Sequence, residues 1–133
     1  MTDWTRQSAT ELGKAIGAGE IEPVALTQTY LDAIEAHPLR DRIYARVTPD
    51  RALSEARAAA DRAARGQRLS PLDGVPISWK DLFDTAGIVT EAGSRLLEGR
   101  VPTEDAPCLQ TATRLGLVCL GKTHMSELAF SGL

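Results

Sequence analysis

The sequence predicts an α/β protein in which short strands alternate with helices. Three observations support this fold class: helical segments with start and stop signals, short apolar runs of strand length, and Gly or Pro between them. The predicted elements are helices at 8–17, 23–36 and 48–66, strands at 43–47 and 75–79, a turn into a short strand at 87–90, a helical turn at 94–97, a helix that starts at 103–105 and ends at 116, a strand at 117–120, and the start of a helix at 125–130.

Local signals justify the first three helices. Ser8 and Glu11 form a capping box, in which each side chain satisfies a free backbone N–H of the first turn. Pro23 has the fixed φ of a first helical turn, and Pro38 ends that helix. Thr48 precedes an Ala-rich helix, whose narrow stripe of small residues would let it lie close against a neighbour.

The composition changes near Gly66, where charges become fewer and Gly and Pro more frequent. This change predicts an N-terminal helical segment at 1–70 and the start of an α/β core at 71–133. Hydrophobic residues make up 43% of the 133 residues and charged residues 25%, which is typical of a globular protein.

Charge and cysteine content restrict the partners and the compartment. A net charge of −3 without a basic stripe argues against direct binding of nucleic acid, and no apolar run is long enough to cross a membrane. Cys108 and Cys119 are too few for a disulfide framework, so we expect buried free thiols and a cytoplasmic protein.

The stretch GLVCLGKT at 116–123 matches the phosphate-loop pattern GxxxxGK[ST]. A phosphate loop follows a strand and opens a helix, whereas here a predicted helix precedes Gly116 and an apolar strand fills the loop positions. The context therefore argues against a nucleotide-binding protein, and the default interpretation of Lys122 is a solvated lysine after a strand.

Lysine is rare in this chain, which has twelve arginines and only Lys14, Lys80 and Lys122. Arginine cannot lose its proton, but a lysine stripped of water can become a base. Lys80 follows Trp79 at the end of a predicted strand, and burial there would favour the neutral amine. From the residues alone, the leading interpretation is still a lysine that reaches solvent or pairs with an acid such as Asp81, and the catalytic base is the alternative.

Three segments resemble the N-terminal portion of the amidase signature family of serine hydrolases. They are PLDGVPISWKDLFDTAG at 71–87, TEAGS at 90–94 and LGLVCLGKTHMSELAFSG at 115–132, and the overall similarity covers about residues 8–133. The resemblance implies an incomplete amidase fold, in which helices flank a mixed sheet. It also implies that GKT at 121–123 forms a turn from a strand into a helix.

By this resemblance, Lys80 is the lysine of a Ser, cis-Ser, Lys triad that hydrolyses carboxylic amides. The neutral lysine would take a proton through the bridging serine, and the nucleophilic serine would then attack the amide carbonyl. This chemistry requires no metal and no cofactor, and the substrate would be a small amide. The residues expected to support Lys80 are Ser78, Asp81, Ser94 and Thr123.

The chain departs from the family pattern at two positions. Glu91 stands where the family usually repeats Thr, and His124 where it usually has Asn. We expect His124 to stabilise a turn as a hydrogen-bond donor. Both departures would change the supporting hydrogen bonds and the substrate preference, and they leave the reaction class intact.

Both triad serines of the family follow the FSG at 130–132, beyond Leu133, and the serines at 78, 94, 126 and 131 lack the family's Gly and Ser rich context. We therefore expect an N-terminal piece of an amidase that is inactive alone. Its open strand edges favour a homodimer or association with the missing C-terminal part. Two alternatives are a non-catalytic interaction module and the A subunit of a tRNA-dependent amidotransferase.

Overall fold

The structure, a computed structural model, describes residues 2–130. Its helices and strands are α1 (Ala9–Ala18), α2 (Pro23–Ala36), α3 (Arg40–Ile43), β1 (Tyr44–Val47), α4 (Pro49–Ala64), β2 (Pro76–Lys80), α5 (Pro107–Arg114) and β3 (Val118–Thr123). Short 3₁₀ turns occupy Trp4–Arg6, Arg95–Leu97 and Glu127–Ala129.

The predicted start signals of the first two helices are confirmed, whereas the Thr48 hydroxyl donates to the Cys119 carbonyl instead of capping α4. At the start of α1, the Ser8 N–H donates to the Glu11 carboxylate at 2.7 Å, and the Glu11 N–H donates to the Ser8 hydroxyl at 3.3 Å. Helix α2 begins at Pro23, and the preceding Glu22 carboxylate accepts two N–H groups of its first turn. These caps satisfy donors that a helix cannot satisfy internally.

The three strands form one mixed sheet, which agrees with the predicted fold class. The order is β1-β3-β2, with β1 antiparallel and β2 parallel to the central β3. A parallel pair needs a crossover connection, and α5 lies in the connection between β2 and β3. Because β1 belongs to the first 70 residues, the sheet joins that segment to the segment that follows.

The core packs the sheet against α2 and α4. Ala52 and Ala56 of α4 are fully buried against Leu31 of α2 and the β3 residues Val118 and Leu120. The predicted stripe of small residues therefore does allow a close approach. A second cluster, formed by Leu12, Ile16, Leu26 and Val75, joins α1 and α2 to the residue before β2.

Several predicted boundaries are wrong. Helix α5 starts at Pro107 because Asp105 is held instead by Arg51 and by the Ala86 N–H. In place of the short strand predicted at 87–90, the structure has a single bridge between Thr85 and Ile88.

The C-terminal part of the signature also differs from expectation. Strand β3 continues through Gly121, Lys122 and Thr123, so GKT is neither a phosphate loop nor a turn into a helix. The expected helix at 125–130 is a 3₁₀ turn, because the Leu128 N–H donates to the Ala92 carbonyl at 2.8 Å with Leu128 at φ 50°. Residues 131–133, which include Ser131 of the family-like segment, lie outside the described residues.

Both cysteines are free thiols, but only one of them is buried. Cys119 lies inside the sheet, and burial raises the pKa of its thiol. Cys108 is exposed on α5, so its predicted burial is wrong. Within residues 2–130, the helices are too short or too polar to cross a membrane.

A buried carboxylate fixes the entrance to β2. Asp73 is 1% exposed and accepts two hydrogen bonds from Arg62 of α4, at 2.8 and 2.7 Å. Gly116 lies directly against this carboxylate with φ 89°, and its carbonyl accepts the Gly74 N–H at 2.8 Å. A side chain at Gly116 would overlap the Asp73 carboxylate.

We therefore expect Gly116→Ala to lower the free energy of unfolding by about 3 kcal/mol, since the new methyl group adds overlap to left-handed strain. Gly99→Ala is the matched control, because Gly99 has φ 74° but nothing within 4 Å of its added Cβ. Its cost is about 1 kcal/mol, from backbone strain alone. Urea denaturation measures both, and equal losses would contradict the role of the Asp73 contact.

Candidate active site

Lys80 is the last residue of β2, and its side chain is exposed. The expected burial of Lys80 against Trp79 is therefore not found in this structure. Successive side chains of a strand point to opposite faces, so Trp79 points away from Lys80. The Trp79 ring instead meets Phe83 edge to face, with 5.2 Å between ring centroids. Strand β2 is also an edge strand, so its outer side has no neighbouring strand within the described part of the chain.

Lys122 is the lysine that the structure buries. It is 0% exposed, and its amine contacts the Phe83 carbonyl at 2.8 Å, the Thr90 hydroxyl at 3.1 Å and the Asp81 carboxylate at 3.4 Å. Burial lowers the pKa of the Lys122 amine, and the Asp81 carboxylate opposes that shift. The expectation that Lys122 is a solvated lysine is wrong, because the loop at 81–90 covers it.

Asp81 connects the ends of all three strands. It is 3% exposed and follows β2 directly; its carboxylate pairs with Arg46 of β1 and with Lys122 of β3. Its second carboxylate oxygen accepts the Glu91 N–H at 3.2 Å. Its backbone N–H donates to the Thr123 carbonyl at 3.0 Å, so Asp81 is bound through both main chain and side chain.

Glu91 and His124, the two residues that depart from the family pattern, lie near Asp81 and its partners Arg46 and Lys122. The Glu91 carboxylate accepts from Arg46 at 2.8 Å and from the Gly99 N–H at 2.7 Å. The His124 Nε2 donates to the Asp41 carbonyl at 3.0 Å, which confirms the predicted hydrogen-bond donor. Residues of both regions line an open cavity of about 390 Å³, among them Arg46, Asp81, Glu91, Ser94, Arg95 and His124.

The predicted supporting residues divide between two places. Ser78 precedes Lys80 by two residues on β2, and its hydroxyl lies 2.6 Å from the Tyr44 hydroxyl. Thr123 is the β3 partner of Lys80, and its hydroxyl donates to the Trp79 carbonyl at 3.4 Å. Ser94 lies apart from them, on the cavity with Asp81, where its hydroxyl donates to Glu127 at 2.8 Å.

The arrangement offers one exposed amine and one buried ion cluster on opposite faces of the sheet. Lys80 pairs with Thr123, and the adjacent residue Lys122 points to the other face. Among residues 2–130, no group of three or more His, Cys, Asp or Glu side chains is placed to hold a metal ion. The chemically accessible group at the strand ends is therefore the Lys80 amine.

Solved structures first define the class of fold. The chain superposes on the peptide amidase of Stenotrophomonas maltophilia with a TM-score of 0.85 and 35% identity, over 93% of this chain and 26% of that chain. An amidase family protein from Bacillus anthracis gives a TM-score of 0.81 with 30% identity, over 93% of this chain and 25% of that chain. The helices and mixed sheet are thus part of the amidase fold.

The sequence comparison then identifies the family. The family model described as Amidase matches residues 25–132, and the chain belongs to this family. Among curated relatives, the A subunit of glutamyl-tRNA(Gln) amidotransferase from Acidothermus cellulolyticus is 43% identical over 129 residues. Its counterpart from Thermobifida fusca is also 43% identical over 129 residues. In both cases the match covers 97% of this chain and 26% of the relative, so the chain spans about a quarter of their length.

A matched pair of substitutions tests the importance of the buried cluster. We expect Asp81→Asn to lower the free energy of unfolding by about 3 kcal/mol, because it leaves the buried Lys122 without a counter-charge and removes one of the two carboxylates that pair with Arg46. Asp84→Asn is the control, since Asp84 pairs with Arg100 at the surface and should cost less than about 1 kcal/mol. Urea denaturation of both variants measures the two losses of unfolding free energy. Equal losses would contradict the prediction that the buried Asp81 contacts stabilise the fold more than a surface ion pair does.

Proposed function

We propose that this chain forms the N-terminal quarter of an amidase that hydrolyses carboxylic amides, with Lys80 as the base of a Ser, cis-Ser, Lys triad. The observation that carries the proposal is the position of Lys80: an exposed amine at the end of β2, inside the family block that contains Gly74, Pro76 and Asp81. Lys122, the other lysine of the signature, is already committed to three internal contacts.

A triad base must hold a lone pair when the substrate binds. Lysine can supply one after it loses a proton, whereas the arginines that dominate this chain cannot. Lys80 is exposed in these 133 residues, so the base function requires further residues to cover it and exclude water. The open outer side of β2 is where such residues would pack, and the family relatives are about four times longer than this chain.

In the proposed reaction, the neutral Lys80 Nζ takes a proton from the bridging serine, which takes one from the nucleophilic serine. The nucleophile attacks the amide carbonyl, backbone N–H groups hold the oxyanion, and the amine leaves with a proton returned along the same path. Water then releases the acid from the acyl-enzyme. Both serines would come from residues downstream of this chain, so residues 1–133 alone would not turn over an amide.

A second candidate function is that of the A subunit of an amidotransferase. The specific observation in its favour is that relatives named as this subunit of glutamyl-tRNA(Gln) amidotransferase reach 43% identity. Both candidates use the same hydrolytic core, so Lys80 has the same role in each. Glutaminase activity that depends on partner subunits and charged tRNA would favour this second candidate over a free-standing amidase.

A chimera tests the role of Lys80. Residues 1–133 would replace the matching segment of the Stenotrophomonas maltophilia peptide amidase, which shares their fold. We expect the chimera to hydrolyse a peptide amide, and Lys80→Ala to lower kcat by about 10²–10⁴-fold, because it removes the general base. Steady-state kinetics with a chromogenic peptide amide measures the loss.

Lys14→Ala is the matched control for this chimera, since Lys14 is an exposed lysine on α1, far from the strand ends in sequence. It should leave kcat within about twofold of the unsubstituted chimera. A chimera that hydrolyses the amide equally well with Lys80→Ala would contradict the proposed base.

A further inference from the structure

The contacts of Lys122 require it to carry all three of its protons. The Phe83 carbonyl can only accept a hydrogen bond, and both carboxylate oxygens of Asp81 already accept from Arg46 and the Glu91 N–H. The Thr90 hydroxyl donates its own proton to the Ile88 carbonyl at 3.1 Å, so it too must accept from Lys122. Three donated hydrogen bonds need an ammonium group, because a neutral amine has only two protons.

The positive charge of the Lys122 ammonium is balanced by neighbouring side chains. Lys122 and Arg46 supply two positive charges, and Asp81 and Glu91 supply two negative charges, joined through contacts of 2.8 Å between Arg46 and Glu91 and 3.4 Å between Lys122 and Asp81. A buried charge is tolerated only when it is paired and hydrogen-bonded, as it is here. Lys122 is therefore a fixed internal cation and unsuited to act as a base.

Two of the three contacts of the Lys122 ammonium, and the backbone pairing of Lys122, lie around Lys80 in the sequence. The backbone of Lys122 pairs with Trp79, the residue before Lys80. Its ammonium contacts Asp81, the residue after Lys80, and Phe83, whose N–H donates to the Lys80 carbonyl at 3.1 Å. Lys122 thus holds the main chain on both sides of Lys80 while its own side chain points to the opposite face of the sheet.

We propose that Lys122 is a positioning residue for Lys80: its buried ammonium fixes the turn at 81–83 and so sets the direction in which the Lys80 side chain leaves β2. The proposal rests on the proposed function for the catalytic meaning of Lys80, but its physical content concerns this chain alone. A turn held at Asp81 and Phe83 fixes the main chain from which the Lys80 side chain extends, and a fixed starting direction favours the alignment that an efficient proton transfer requires.

The full 133-residue chain, with ¹⁵N- and ¹³C-labelled lysine, provides the test, because it has only three lysines to resolve. An ammonium-selective ¹H–¹⁵N correlation spectrum near neutral pH should show a protected signal from Lys122, and none from the exposed Lys14 and Lys80, whose ammonium protons exchange quickly with water. Absence of a Lys122 ammonium signal from the folded chain overturns the proposal.

Thr90→Val then removes one acceptor and keeps the shape of the side chain. We expect the Lys122 ammonium protons to exchange at least about fivefold faster, together with the N–H groups of Phe83 and Ala92, which close the turn. The backbone resonances of Lys80 should shift, while the Val118 N–H, bonded to the Val75 carbonyl, should keep its exchange rate. If Thr90 contributed only to overall stability, the exchange rate of the Val118 N–H would rise as much as that of the Phe83 N–H.

Thr111→Val is the matched control, because the Thr111 hydroxyl makes a single surface hydrogen bond to the Pro107 carbonyl of α5. It should leave the Lys122 and Lys80 signals unchanged. Equal effects of the two threonine substitutions, or an unmoved Lys80 in Thr90→Val, would overturn the proposal. These results are independent of amide hydrolysis, so an inactive chimera with a normal Lys122 signal would count against the proposed function only.

Discussion

The interaction on which the strand ends depend is the contact of the Asp81 carboxylate with two cations from different strands. Arg46 approaches from β1 and Lys122 from β3, while Asp81 itself ends β2. A nearly buried carboxylate without such partners would be costly, so the charge balance and the relative positions of the strands are fixed together. The loop at 81–106 folds back over this point, because the Ala92 N–H donates to the Asp81 carbonyl at 2.8 Å.

This cluster separates two lysines that the sequence places in similar contexts. Both follow apolar residues at the end of a strand, and both belong to the family signature. Lys122 lies on the covered face, where carbonyl, hydroxyl and carboxylate oxygens surround its ammonium. Lys80 lies on the other face, exposed at the end of an edge strand. We infer that Lys122 fixes the main chain at the strand ends, and that Lys80 acts as the base once further residues cover it.

Local patterns predicted most of the fold, because caps and prolines act over a few residues. The bounds of α2 follow from Pro23 and Pro38, and the capping box of α1 follows from Ser8 and Glu11. The length of β3 and the burial of Lys122 could not be predicted in this way, since they depend on Phe83 and Thr90, more than 30 residues away. The one sequence feature that could have pointed to a special position for Lys122 is the rarity of lysine in the chain, and that feature applies to Lys80 as well.

A double-mutant cycle between Asp81→Asn and Lys122→Met tests the central claim most directly, with each free energy of unfolding taken from urea denaturation. If the two side chains form one buried ion cluster, the loss in the double variant should fall short of the sum of the single losses by about 2 kcal/mol. Losses that add to within about 0.5 kcal/mol would show that the two residues act independently, and would contradict a shared ion cluster at the strand ends.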